Sequence, residues 1–323
     1  MSTSLPIINK VIADMGGTIE EFVPERGCYY IKLNGKRILL ERDISITRQS
    51  FISSQFTRCK EMTNKLLIAN NLPALSTECF YNKTYDRKEA IKKLQKITYP
   101  IILKSAVGSN SLGIFPYIET PEEATKVLQK NLPRYRSMIA QKMVFGKEYR
   151  VLVLGSKIIG ALEMIRPHVI GDGKTMVRKL IREKQKTTRK RTPFDKKLKH
   201  ILKDQKVTLD TVLAKNKLVY IKRNASLAEG GETKDVTTMV HKDVKDICVS
   251  ASKTVGKYLA GIDIICSGIE KKPSKRNFHI LEINGRPDMY IHYEPTHGKI
   301  RNVLKDVIKY LDKQSSPLSS RVK

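Results

Sequence analysis

The sequence contains no apolar run near the roughly 20 residues that cross a bilayer, and no basic N-terminal segment followed by an apolar core. Neither a membrane span nor a secretory leader is expected, and a cytoplasmic protein is. The five cysteines (Cys28, Cys59, Cys79, Cys248 and Cys266) are odd in number and too scattered for zinc-type spacing. Free thiols in a reducing compartment follow. The six histidines offer no helix-spaced metal pair. The Gly-Lys-Ser/Thr ending of a Walker A loop is missing, as is any convincing Ser-His-Asp or Cys-His arrangement for covalent catalysis. Acids are also scarce, with 32 Asp and Glu against 61 Lys and Arg.

What remains is an ordinary globular composition, 40% hydrophobic and 29% charged. A chain of 323 residues is long enough for two or three packed subdomains. The net charge of +29 attracts phosphates, nucleic acids or acidic polymers. Part of it is concentrated between Lys174 and Lys206, where fourteen Lys or Arg face three acids. Phe194 is the one aromatic residue of that segment, so the stacking platform of a nucleic-acid site is lacking. A solvated lysine-rich face is the competing reading.

The first 56 residues read as a lead-in module whose Cys28–Leu40 stretch predicts a hairpin around Asn34-Gly35. A helix follows with Met62, Leu66, Leu67 and Ala69 on one stripe, then a helix over 86–97 and the strand "PIILK". Ser105 to Gly113 forms a polar loop. Thr120-Pro121-Glu122-Glu123 reads as a helix N-cap with Pro at the first position. From Gly146 the pattern is mainly β: a hairpin through Gly155-Ser156, the helical basic segment, a Gly230-Gly231 loop, a helix over 242–259, and the strands "AGIDIICSGI" and "NFHILEIN". A last helix from Gly298 precedes a tail, 313–323, expected to be mobile. The fold class is α+β.

Residues two apart on a strand share a face. Glu282 and Asn284 therefore project together, with Leu281 and Ile283 on the opposite side. Asp263 sits among isoleucines, where a carboxylate is costly unless paired or bound to metal. Oxygen ligands converging from neighbouring strands suit magnesium; pairing of either carboxylate with a Lys or Arg is the alternative. Lys104 closes an apolar strand, and the loop after it offers Gly108, Gly113, serines and backbone amides to phosphate.

In this order, these pieces resemble the ATP-grasp superfamily from about Thr57 to Asp312. The chain is most similar to the ATP-grasp part of cyanophycin synthetase, and more distantly to glutathione synthetase and D-alanine–D-alanine ligase. The stretches that carry the resemblance are Gly146–Lys174, Arg223–His241, Val255–Ile265 and Leu281–Met289. The resemblance implies ATP held between two antiparallel-sheet lobes, a central lobe at 57–140 with a phosphate lid and a C-terminal lobe at 141–312 with the magnesium ligands. It implies that Lys60 and Lys104 contact ATP and that the lid runs through Ser105, Gly108, Ser109 and Gly113. Gln141, Lys142, Met143 and Val144 match the adenine hinge, and Glu148 the ribose-binding acid. Asp263, Glu282 and Asn284 fall on the ligands of Mg2+, with two ions expected, and Arg223 and Asn224 beside the transferred phosphoryl. Arg150, His168 and Arg286 match the acceptor side. The sequence departs from the pattern at Ser111, where relatives carry a central glycine, at Gln141, where a glutamate is commoner, and at Asp288, which replaces a glycine.

The implied activity is an ADP-forming carboxylate–amine ligase that makes an amide or peptide bond through an acyl phosphate. Its substrates would be amino acids or peptides, including an acidic polymer, and a homo-oligomer is compatible. A glutathione-like or dipeptide-forming ligase is the nearest alternative. An inactive ATP-grasp protein that binds nucleic acid or another polyanion is the alternative of a different class.

Overall fold

The computed structural model describes residues 5–41, 50–108, 113–189 and 191–314. The chain divides into two compact units. The first takes in the chain up to Ala161, Thr237–Tyr293 and the segment from Arg301; the second is Leu162–Val236 with Glu294–Ile300.

In the first unit, α1 (Leu5–Ala13) leads into β1 (Thr18–Val23), β2 (Cys28–Leu33) and β3 (Lys36–Glu41), paired antiparallel in that order. Asn34 and Gly35 turn the β2–β3 hairpin with φ of 51° and 70°, the both-positive geometry that Asn-Gly favours. The helices α2 (Phe51–Arg58) and α3 (Lys60–Ala69) follow.

The inner face of α3 is not the predicted apolar stripe. Leu67 is buried, but Met62 and Ala69 are exposed, and Glu61, Thr63 and Asn64 take the inner positions. Their hydrogen bonds explain why. The Tyr81 hydroxyl donates to the Glu61 carboxylate at 2.6 and 2.7 Å, Thr63 Oγ1 donates to the Phe56 carbonyl, and Asn64 Nδ2 donates to Thr77 Oγ1 at 3.2 Å. Polar groups partnered in this way can be buried without the penalty of an unmade bond.

An antiparallel sheet in the order β4-β7-β5-β6 comes next, made of β4 (Glu78–Tyr81), β5 (Ile101–Ser105), β6 (Ile114–Ile118) and β7 (Ser137–Lys142). With α4 (Arg87–Leu94) and α5 (Pro121–Tyr135) it encloses a core of Leu94, Ile101, Leu103, Leu128 and Met138. Both helices start on caps, as the side chains of Asp86 and Thr120 accept from the N–H groups of Glu89 and Glu123. Each cap satisfies an amide that the helix itself leaves open.

The hairpin of β8 (Lys147–Leu154) and β9 (Lys157–Ile165) turns at Gly155, and β9 carries the chain into the second unit. There β10 (His168–Ile170) pairs with β11 (Leu218–Tyr220). With α6 (Val177–Lys184) and α7 (Lys196–Asp204) these strands surround Val169, Val177, Ile181, Leu198, Leu202 and Val219. The outer faces of the two helices carry exposed Lys179, Arg182, Lys196, Lys197, Lys199 and Lys203, so much of the basic segment is a solvated face. Finally β12 (Glu232–Asp235) pairs with Leu162–Ile165 of β9.

The chain returns to the first unit through α8 (Lys242–Thr254), β13 (Leu259–Cys266) and β14 (Phe278–Asn284). β13 pairs antiparallel with both β8 and β14. Ile262, Ile264 and Cys266 are buried, and α8 packs on β8 and β13. Leu152, Leu154 and Leu259 share one core with Ile31, Ile38, Leu304 and Ile308, which joins the N-terminal strands to α9 (Val303–Gln314). The last helix starts five residues later than its sequence suggests. It includes Lys313 and Gln314, and the rest of the expected tail lies outside the described residues. All five cysteines are free thiols. Among the described residues no helix is long and apolar enough to cross a membrane.

Candidate active site

Three adjacent strands bring Arg150, Asp263 and Glu282 into one row, because Asp263 of β13 lies opposite Arg150 of β8 and Glu282 of β14. Asn284 stands opposite Gly261, two residues along the same face. Between Asp263 and Ile264 the register breaks, and Leu281 is the extra residue of a β-bulge. Ile283 is buried as expected, whereas Leu281 at the bulge is only half-buried. Gly261 leaves the space that this row needs. A Cβ there would lie 2.9 Å from Pro287 Cβ and 3.2 Å from Arg150 Cδ.

Both carboxylates are paired. Arg150 grips Asp263 bidentately, through Nε to Oδ1 and through Nη2 to Oδ2 at 2.9 Å. Burial disfavours the Arg150 cation, but Asp263, with Glu282 and Asp288, outweighs it and holds the pKa above its ordinary value. Asn284 Nδ2 also donates to Asp263 Oδ2 at 3.1 Å. Lys60 Nζ lies 3.2 Å from Glu282 Oε1 and donates to the Gly108 carbonyl at 2.8 Å. Its backbone N–H donates to the Ala106 carbonyl at 2.8 Å, which ties the start of α3 to the loop after β5.

Lys104, at the end of β5, is the least compensated charge of the group. It is 8% exposed, and its ammonium has no hydrogen bond or ion pair among the described residues. Burial pulls its pKa down to about 8; Glu282 and Asp263 work against that, and Lys60 adds to it. A buried cation of this kind is suited to an anion delivered from outside the fold.

The donor set fits a hard cation. A carboxylate oxygen has two lone pairs, so Asp263 and Glu282 retain acceptor capacity beside their cations. Asn284 donates through Nδ2 to Asp263 and the Gly261 carbonyl, which leaves its Oδ1 as an acceptor. Among the described residues no three His, Cys, Asp or Glu side chains converge on a metal. The candidate ligand set is therefore two carboxylates and one amide, all oxygen, as magnesium prefers.

The remaining predicted residues are distributed as follows. Gln141 is buried on β7 and donates through Nε2 to Thr77 Oγ1 at 2.7 Å. Lys142 ends the strand, Met143 N–H donates to the Pro100 carbonyl at 2.9 Å, and Val144 follows. Glu148 is half-buried on β8, two residues before Arg150. Ser105 is buried, and its hydroxyl donates to the Val107 carbonyl. Gly113 has φ of 72°, and a Cβ there would lie 2.9 Å from the Tyr135 ring. Ser109 and Ser111 of the lid lie outside the described residues. Arg286 and Asp288 are exposed, and Asp288 Oδ1 accepts from Tyr290 N–H at 2.9 Å. Three residues belong to the second unit. Arg223 pairs with Asp204 at 2.5 Å, Asn224 is exposed, and His168 is buried beside Glu232.

Sequence reasoning missed Thr77, Gly261 and the Glu232 partners Lys184 and His297. Lys184 is one lysine in a basic run, and Thr77 lies in an irregular segment with no periodic pattern. The glycine in "AGIDII" was the one available mark, since a glycine within a strand often signals close approach.

No family model matches the chain. The bifunctional glutathione biosynthesis protein GshAB of Clostridium perfringens is 27% identical over 278 residues, covering 82% of this chain and 35% of that protein. A cyanophycin synthetase of Geminocystis herdmanii is 31% identical over 230 residues, covering 68% of this chain and 26% of that protein. The chain thus spans about a third or less of the length of these curated relatives. Among solved structures, the bifunctional glutathione synthetase of Pasteurella multocida superposes with a TM-score of 0.69 at 22% identity, covering 95% of this chain and 44% of that one. The shared fold, together with sequence similarity to two kinds of ATP-grasp ligase, places the chain in a family: it belongs to the ATP-grasp superfamily.

Proposed function

We propose that the chain is an ATP-dependent carboxylate–amine ligase that forms an amide or peptide bond through an acyl phosphate. The row Arg150–Asp263–Glu282, with Asn284 beside it and Lys60 and Lys104 next to it, is the observation that carries this reading. In the first step a substrate carboxylate oxygen attacks the γ-phosphorus of ATP and ADP leaves. In the second, an amine displaces phosphate from the acyl carbon and loses a proton. Neither step requires a protein nucleophile; positioning and charge neutralisation suffice.

Each side chain has a task within that scheme. Lys60 and Lys104 hold phosphate oxygens, Lys104 from a dry position where its charge acts strongly. Asp263, Glu282 and Asn284 would hold magnesium, as two ions, and Arg150 fixes the orientation of Asp263. The metal supplies neutralisation of phosphate charge. Gln141 to Val144 meet adenine, Glu148 meets ribose, and Ser105, Gly108, Ser109 and Gly113 belong to the loop over the phosphates. Arg223 and Asn224 contact the transferred phosphoryl, with His168 and Arg286 on the acceptor side. The carboxylate belongs to an amino acid or an acidic peptide, an assignment supported by the net charge of +29 and by the relatives named cyanophycin synthetase. A positive field of that size steers polyanions at low salt. A cytoplasmic location and self-association fit the same reading.

The test is ADP and phosphate release with pairs of amino acids and peptides, followed by the mass of the product. Release that requires both a carboxylate and an amine, with a product lighter than their sum by one water, is expected. Asn284→Ala should lower turnover by about 100-fold. Full turnover in that variant removes the metal assignment. Salt-dependent nucleic-acid binding with no ADP release under any pairing replaces the ligase reading with that of a polyanion-binding protein.

A further inference from the structure

Each candidate magnesium carboxylate faces a cation of the protein, and the two pairings differ in kind. Asp263 is gripped by the Arg150 guanidinium through two bonds and receives a third from Asn284. A planar fork of this kind serves both oxygens in one geometry. Glu282 instead meets a single ammonium, Lys60 Nζ, 3.2 Å from its Oε1. That separation is longer than the roughly 2.7–2.9 Å of a tight charge-assisted bond. The shorter contact of the same ammonium, 2.8 Å, goes to the Gly108 carbonyl.

The backbone of Lys60 is anchored on both sides. Its N–H donates to the Ala106 carbonyl at 2.8 Å. The next residue, Glu61, accepts from Tyr81 at 2.6 and 2.7 Å and from Lys65 at 2.7 Å. A point charge on a flexible four-carbon stem can therefore change partners without moving the start of α3. The Lys60 side chain is 11% exposed, so water screens its charge poorly and any ion on Glu282 feels it.

The surrounding charges are balanced. Glu282 and Asp263 act on Lys104, and Asp288 acts on Arg150. Asp263, Glu282 and Asp288 are thus matched by Arg150, Lys60 and Lys104. Among these groups there is no negative excess to draw a divalent ion, and an ion on either oxygen of Glu282 meets Lys60 at close range. The phosphates of a nucleotide reverse that sum. They offer Lys60 another anion and leave Glu282 to a metal.

We propose that Lys60 is an exchangeable counter-ion of Glu282, which keeps magnesium off this carboxylate until nucleotide phosphates take the ammonium over. Metal binding then requires nucleotide, while Arg150 stays on Asp263 throughout. This exchange rests on the metal and phosphate roles assigned under the ligase reading, and adds an order of binding to them.

The experiment is electron paramagnetic resonance of free Mn2+, titrated in place of magnesium against the full chain with and without ADP. After subtraction of what ADP binds by itself, the wild type should bind Mn2+ at least tenfold tighter with ADP than without it. Lys60→Met, which keeps the stem and removes the charge, should bind Mn2+ without ADP at least tenfold tighter than the wild type. Lys60→Arg, which keeps the charge, should not. Adding Glu282→Gln to Lys60→Met should cancel the gain, and Lys60→Gln serves if Lys60→Met fails to fold. The exchange is overturned by no gain in the uncharged variants, by an equal gain in Lys60→Arg, by a gain that survives Glu282→Gln, or by equally tight binding to the wild type without ADP. A wild type that binds no Mn2+ even with ADP removes the ligand assignment itself, and the exchange with it.

Discussion

Arg150 holds both carboxylate oxygens of Asp263 across the β8–β13 pair, while Asn284 donates to one of them from β14. A side chain expected on the acceptor side is thus in direct contact with a candidate metal ligand. Truncating it leaves a largely buried carboxylate without its cation, at a cost on the order of 3 kcal/mol. Arg150→Ala should therefore unfold earlier than the wild type without metal. Magnesium should recover more of that loss than it adds to the wild type, since it supplies the missing positive charge. Thermal melts with and without magnesium check this; equal shifts in the two proteins contradict it.

The depressed pKa of Lys104 links stability to pH. The folded protein releases this proton near pH 8 and the unfolded chain near 10.5, so below pH 8 the buried charge opposes folding by about 3 kcal/mol at 1.36 kcal/mol per pH unit. Between those two values the unfolded state binds the extra proton, and the stability contribution rises with pH. Lys104→Met should therefore stabilise the nucleotide-free protein at pH 7, with the gain shrinking towards pH 10.5, while weakening ATP binding. Denaturant titrations at pH 7 and 10 measure the first effect. Calorimetry in buffers of different ionisation enthalpy, above pH 8, should show proton uptake on ATP binding.

Thr77 is a small residue that ties three segments together. Its hydroxyl accepts from Gln141 Nε2 and Asn64 Nδ2 and donates to the Leu75 carbonyl at 3.0 Å. Gln141 Oε1 is buried with no partner among the described residues, so losing Thr77 would leave that amide without a side-chain bond. Thr77→Val should cost about 2 kcal/mol in urea unfolding, and Thr77→Ser should keep most of it.

The parts of the fold that were legible in the sequence are those where one local rule decides. Asn34-Gly35 permits one hairpin turn, and Thr120-Pro121 opens a helix whatever surrounds it. Asp263 was legible as a carboxylate among isoleucines that needs a partner, and of the two kinds of partner read for it and Glu282, the cations are the ones in place: Arg150 on Asp263 and Lys60 on Glu282. What was not legible depended on distant groups. Glu61, Thr63 and Asn64 lie inside α3 because Tyr81, Phe56 and Thr77 meet them, and no periodicity encodes those partners. Lys184, Glu232 and His297 are far apart in the chain and meet only through tertiary structure.

The extra residue in β14 has a consequence for how the strand can change. In an unbroken strand Phe278, Ile280, Glu282 and Asn284 would all face one way, two hydrophobes and two candidate ligands on the same side. The core partners Ile264–Ile280 and Ile262–Ile283 fall on either side of Leu281, so that residue acts as a frameshift in the inside–outside code of the strand. Deleting Leu281 alone removes the bulge yet keeps Ile280 opposite Ile264, Glu282 opposite Asp263 and Ile283 opposite Ile262. That variant should retain cooperative unfolding in denaturant, whereas one residue inserted between Glu282 and Ile283 should turn one of them to the wrong face and abolish it. Leu281→Ala, which keeps the bulge, should retain it as well. The alternation on the two sides of the bulge, more than the identity of the residue within it, sets which side chains of β14 stand beside Asp263 and Gly261.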